Sequence, residues 1–159
     1  MQKNQKGVAA VEFALVLPLL LILTFITTEF GRALYQYNTL AKSVRDAARY
    51  MSIQDPSEAG KIGNARSLAV YGKFANAVVP GTDAPLALGL TEGMVKEPAW
   101  SSAGSNPVIN TVTVTIAGCA STPPPDECYR FVPLINNLFG LNFGEIDYPD
   151  ISATMRSAS

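Results

Sequence analysis

The chain has 159 residues, 12 basic against 13 acidic side chains for a formal net charge of −1, and no histidine. A near-neutral balance without a basic cluster argues against nucleic acid as a partner, because phosphate binding needs grouped Lys and Arg. The lack of histidine removes the commonest general base, the Ser-His and Cys-His pairings and the commonest metal ligand.

Residues 1–6, MQKNQK, carry Lys3 and Lys6 and no acid, and the next basic residue is Arg32. The apolar run between them, residues 8–28, has about the ~20 residues needed to cross a hydrocarbon core as a helix. Its basic end should stay in the cytoplasm, sending the rest of the chain outward. Three readings of this segment compete. A removed secretory signal needs a small-residue cleavage site at its far end, and the following TFITTEFGRALY offers none. A plain membrane anchor accounts for the length and the charges, but not for Glu12 inside the run or for the Lys6-Gly7 junction before it.

The third reading accounts for both. KGVAAVEF resembles a class III signal of the type IV pilin superfamily, which a prepilin peptidase cuts on the cytoplasmic side. The resemblance implies cleavage between Gly7 and Val8, so that residues 1–7 form a leader and Glu12 becomes the fifth residue of the mature chain. GVAAVEFALVLPLLLILTFITTEFGRALY further resembles the TadE-like family of minor pilins, or pseudopilins, of tight-adherence (Flp) pili. The matching features are a small-residue run, Glu12-Phe13, an apolar segment containing Pro18, and Glu29-Phe30-Gly31-Arg32. AARYMS, residues 47–52, also fits the end of that family's helix.

The resemblance implies a single-pass protein of the bacterial inner membrane, N-terminus cytoplasmic and C-terminal domain periplasmic, that can enter the extracellular pilus. Its implied partners are a prepilin peptidase, the major pilin and other pseudopilins, the inner-membrane assembly platform and the lipid bilayer. It further implies a use for Glu12. A charge at the centre of a membrane helix costs roughly 2.5–3.5 kcal/mol on insertion scales, and less near an end, where it can snorkel to the headgroups. Among the helices of a filament an unpaired carboxylate is less acceptable. A neighbouring subunit's new α-amino group at Val8 would neutralise Glu12 and fix axial register. The alternatives for Glu12 are a snorkelling anchor residue without a partner and a residue that helps present the junction to the peptidase. Pro18 removes a mid-helix donor and either bends the helix or is inert there.

Beyond residue 28 the helix should continue as an amphipathic one over residues 29–53. Phe30, Ala33 or Leu34, Tyr37, Leu40 or Ala41, Val44, Ala47 or Ala48 and Met51 recur at three- and four-residue steps. Arg32, Gln36, Thr39, Lys42, Arg45, Asp46 and Arg49 occupy the other surface. Together the two halves make a rod of about 45 residues, roughly 65–70 Å at helical rise.

Residues 54–159 then form one modest periplasmic domain. Asp55-Pro56 with Glu58 reads as a helix start, predicting a second helix over about 56–78 that is weakened by Gly60, Gly63 and Gly72. Its expected inner face is Ile62, Ala65, Leu68, Ala69 and Ala75. Residues 80–106 are rich in Pro, Gly, Ser and Ala, with strands expected near 86–90 and 93–96 and Trp100 in a loop, lidding the core. VINTVTVTIAG alternates Val112, Val114 and Ile116 with Thr111, Thr113 and Thr115, as a half-covered antiparallel strand requires. Cys119 and Cys128 flank a Pro-rich turn. They are too few for a structural zinc site, and pair only in an oxidising compartment, remaining partly buried thiols otherwise. Asp126 and Glu127 should form an exposed turn. A short helix is expected over about 133–139, with a membrane-surface element as its alternative, and a last strand with Ile151, Ala153 and Met155 inward.

The expected fold is α+β: a long N-terminal helix packed on a small pilin-like domain with a second helix and an antiparallel sheet. No catalytic constellation, phosphate-cradling loop, cofactor motif or metal cluster is visible. The functional expectation is therefore structural, a minor pilin taking part in priming or at the tip of the filament. Its rival is a signal-anchored periplasmic binding or adhesion domain that never polymerises.

Overall fold

The computed structural model describes residues 5–55, 58–121, 125–135, 137–138 and 140–157. The fold is α+β. A 47-residue helix, α1 (Gln5–Met51), passes through Pro18 and is followed by α2 (Ala59–Tyr71). Two single-turn 3-10 segments follow, Ala75–Ala77 and Glu92–Met94. The described residues after these form the strands β1 (Ala99–Ala103), β2 (Ile109–Ile116), β3 (Arg130–Phe131), β4 (Asn137–Leu138), β5 (Leu141–Asn142), β6 (Ile146–Asp147) and β7 (Ile151–Arg156). The chain divides into two compact units. One holds α1 up to Leu34 with Val132–Glu145, and the other holds Tyr35–Phe131 with Ile146–Ser159.

The second unit contains a three-stranded antiparallel sheet in the order β1-β2-β7. Alternation along β2 sets its two faces. Val112, Val114 and Ile116 are fully buried, and each lies opposite an apolar residue of β7: Met155, Ala153 and Ile151. On the other face Thr113 and Thr154 share a hydroxyl hydrogen bond of 2.7 Å, as do Ser101 and Thr111. Trp100 lies in β1 rather than a loop, opposite Val112 on the apolar side and half-buried.

The core continues through Leu40, Val44, Ala47, Ala48 and Met51 of α1, Ala65, Ala69 and Val70 of α2, and Tyr129 and Phe131. Those α1 positions recur at three- and four-residue steps, the spacing of one helical face. Arg45, Asp46 and Arg49 are exposed on the opposite side. Polar links hold this part of α1 in place. Tyr129 donates its hydroxyl to Gln36 Oε1 at 3.1 Å, and Ser157 Oγ donates to the Ser52 carbonyl at 3.4 Å. The Tyr37 and Tyr50 rings pack on Tyr148 and Phe74, with centroids 5.7 and 5.2 Å apart.

Several local expectations change. α2 spans 59–71, not 56–78. Glu58 stands at its N-cap, and it ends where Gly72 turns left-handed (φ 68°) and donates to the Leu68 carbonyl, a conformation glycine adopts at no steric cost. Pro56 lies outside the described residues. Ala65 and Ala69 are buried as expected, whereas Ile62 and Leu68 are half-buried and Ala75 is exposed. Residues 86–90 form turns, not a strand, with Gly89 at positive φ. At 93–96 there is a 3-10 turn and a single bridge from Val95 to Ile116. The helix expected over 133–139 is absent among the described residues. The chain instead folds back as the β4-β5 hairpin, where Gly140 takes φ 84° and donates to Asn137 Oδ1 at 3.2 Å. Phe139 lies outside the described residues.

Candidate functional site: the apolar stretch of α1 and its charged neighbours

In the first unit α1 exposes apolar side chains on every side. Val8, Phe13, Leu15, Leu19 and Leu23 are each more than half exposed, and the most apolar 18-residue window has mean hydropathy 2.5 with none of it buried. A helix that is apolar all round belongs inside a protein or a bilayer. Among the described residues this is the one helix long and apolar enough to span a membrane. It fits a membrane anchor.

The polar groups of the stretch divide into two kinds. Thr24, Thr27 and Thr28 donate their hydroxyls to the carbonyls of Leu20, Leu23 and Thr24 at 2.8–3.0 Å. These bonds run back along the helix, so each hydroxyl is satisfied where water is absent. Glu12 differs. It is exposed, and it has no hydrogen-bond or ion-pair partner among the described residues. It stands four residues after Val8, on the same helix face.

The cluster after residue 28 is built differently. Arg32 donates to Glu29 Oε2 through Nη2 at 2.7 Å and through Nε at 3.1 Å. The same Nη2 donates to the Val132 carbonyl at 2.8 Å. With side chains 23% and 15% exposed, the pair is sheltered enough to matter. Beside it Phe25, Ile26 and Glu29 of α1 meet Ile135 and Phe143 around a small apolar recess. Arg32 thus ties the segment 132–145 to α1. Its two motif companions face outward: Phe30 is 60% exposed, and a Cβ at Gly31 would meet nothing within 4 Å.

Residues 7–49 match the model of one protein family, described as TadE-like protein. This segment is TadE-like. No curated protein and no solved structure matches the chain. The match covers about a quarter of the chain and takes in Gly7, Val8, Glu12, Phe13, Pro18 and the Glu29-Phe30-Gly31-Arg32 run.

Outside the TadE-like segment, Cys119 and Cys128 are joined by a disulfide. Asp126 and Glu127 within that loop are exposed. The base of the loop is held by Asp150, which sequence reading did not single out. Its carboxylate accepts from Lys96 Nζ at 2.5 Å and from the Gly118 N–H and Ser121 Oγ at 2.9 Å each. The Lys96 bond first, then the Gly118 N–H, hold the Asp150 carboxyl below its ordinary value. Asp83 is lowered likewise, by Lys73 first and then by the Val79 N–H. Among the described residues no three metal-ligating side chains come together.

Proposed function

We propose that this chain is a minor pilin or pseudopilin that primes, or sits at the tip of, a tight-adherence type IV pilus. It would be made with residues 8–28 across the inner membrane, residues 1–7 cytoplasmic and residues 29–53 and 54–159 periplasmic. Prepilin peptidase removes the leader between Gly7 and Val8, and the assembly platform then passes the subunit to the major pilin and the other pseudopilins. The role is structural, with no cofactor.

The observation that carries this reading is Glu12. It is an exposed carboxylate without a partner among the described residues, and the one charged side chain of residues 7–28 within the TadE-like match. Cleavage before Val8 leaves an α-amino group one helical turn away, ~6 Å along the axis. A neighbouring subunit displaced along the filament brings its own amine against this carboxylate. Paired, Glu12 costs little among apolar helices; unpaired, it opposes packing. Phe13 beside it, and the outward Phe30 and Gly31, give that neighbour an apolar surface with a close approach.

Mass spectrometry of the protein that copurifies with sheared pili should find Val8 at the N-terminus. A chain still beginning at Met1, or one beginning after Thr28, overturns the proposal. Glu12→Gln should be inserted and trimmed normally. Its incorporation into pili should drop at least about tenfold, the ratio that ~1.4 kcal/mol represents. Unchanged incorporation removes the register role.

A further inference from the structure

The segment 132–144, VPLINNLFGLNFG, holds no charged residue. It nevertheless leaves Leu134 68%, Leu141 48% and Val132 43% exposed. This segment shares a compact unit with the apolar part of α1. Arg32 grips its first carbonyl, and Ile135 and Phe143 close on Phe25 and Ile26. Phe25 and Ile26 fall within the apolar run 8–28, two to three residues before its end, or ~3–5 Å along the helix axis.

We infer that the β4-β5 hairpin is a foot that rests in the outer headgroup region of the bilayer, against the exit point of α1, with Leu134 and Leu141 inserted among the upper acyl carbons. The inference rests on residues 8–28 spanning the membrane. Three observations select lipid as the occupant. The residues flanking the hairpin, Val132, Ile135 and Phe143, fasten it to α1 at a level where the surroundings of a spanning helix are bilayer. The segment carries no charge and exposes the apolar side chains of Val132, Leu134 and Leu141. It needs no basic face to find the membrane, because α1 already tethers it there. Its depth is also bounded. Strands of two residues leave open backbone edges, which hydrocarbon does not tolerate. The exposed cross-strand pair Asn137 and Asn142 belongs at the wet side. The foot therefore lies at the interface and goes no deeper.

The native cysteines are bonded to each other, so one added cysteine can be labelled in the full-length protein. Leu134→Cys and, separately, Leu141→Cys carry an environment-sensitive fluorophore, and Leu17→Cys marks the span. Each protein is reconstituted at low protein-to-lipid ratio in vesicles of phosphatidylethanolamine and phosphatidylglycerol containing lipid nitroxides. Both hairpin labels should be quenched severalfold more by a nitroxide near the headgroup than by one deep in the acyl chain, and shielded from aqueous iodide. The Leu17 label should show the reverse depth preference. Hairpin labels open to iodide and untouched by lipid nitroxides, with Leu17 still quenched, overturn the foot alone. Shielding that appears only as the protein-to-lipid ratio rises overturns it in favour of a second copy. A Leu17 label that lipid nitroxides do not reach overturns the span and the foot together.

Discussion

Arg32 does two jobs with one guanidinium, neutralising Glu29 and donating to the Val132 carbonyl. Arg32→Ala should therefore free the segment 132–145 locally without unfolding the β1-β2-β7 sheet. A charge-assisted bond of this kind contributes about 1.5–3 kcal/mol. Hydrogen exchange would read the loss as faster exchange confined to that segment. Lysine at the same place supplies a charge but not the fork that reaches both acceptors, so Arg32→Lys should recover only part of the protection. Asp150 makes a prediction with a sign. Its folded pKa lies below the ordinary 3.8, chiefly through Lys96, so the stabilisation is complete above that value. It is lost as pH falls below 3.8 through the lower folded value. An acid titration followed by circular dichroism should show this step, and Asp150→Asn should flatten it while lowering stability at neutral pH.

Between elements, Gly118 is the glycine with the least yielding neighbours. A Cβ there would run into the Tyr148 and Pro149 carbonyls, and the neighbours that could yield are backbone. Gly118→Ala should cost about 1–3 kcal/mol, the range for overpacking, seen as a lowered denaturation midpoint for the protein in detergent. Gly93 is less constrained, because a Cβ there meets only the mobile end of the exposed Glu127 side chain. The elements also show what a sequence window can and cannot see. α1, β2 and β7 are legible because a single period decides each of them over many residues. The segment after Phe131 is not. Its apolar residues at 131, 132, 134 and 135 suit a helix as well as a hairpin. The decision comes from Gly140 at positive φ and from a guanidinium 100 positions earlier in the chain. The end of α2 depends in the same way on Gly72 adopting a left-handed turn, where three glycines in one stretch gave no ranking among them.

For the whole molecule, the residues read from the sequence as functional separate by what satisfies them. Glu29 and Arg32 are satisfied within the chain, a pairing that their three-residue spacing permits but that the sequence reading, which took them only as motif residues, did not draw. Glu12, Phe13, Phe30 and Gly31 are exposed, and the proposal accounts for them through other subunits. Gly31→Ala separates the two kinds of explanation. Nothing in the chain opposes the added methyl, and alanine favours a helix over glycine by up to about 1 kcal/mol. The variant should be made and folded at least as well as the natural chain, yet enter sheared pili less readily if a neighbour packs there; equal recovery in the pili would leave Gly31 without an intersubunit role. The domain itself offered less to a sequence reader, since Asp150 collects its three donors from residues 29 to 54 positions away.

The Cys119–Cys128 bridge adds a dimension of time to this picture. Thiols stay reduced in bacterial cytoplasm and become oxidised beyond the inner membrane. On the proposed topology the bridge therefore closes only after the domain has been exported. A stalled precursor and an exported subunit then differ by two hydrogens as well as by location, and the linked sulfurs keep a chemical memory of the crossing.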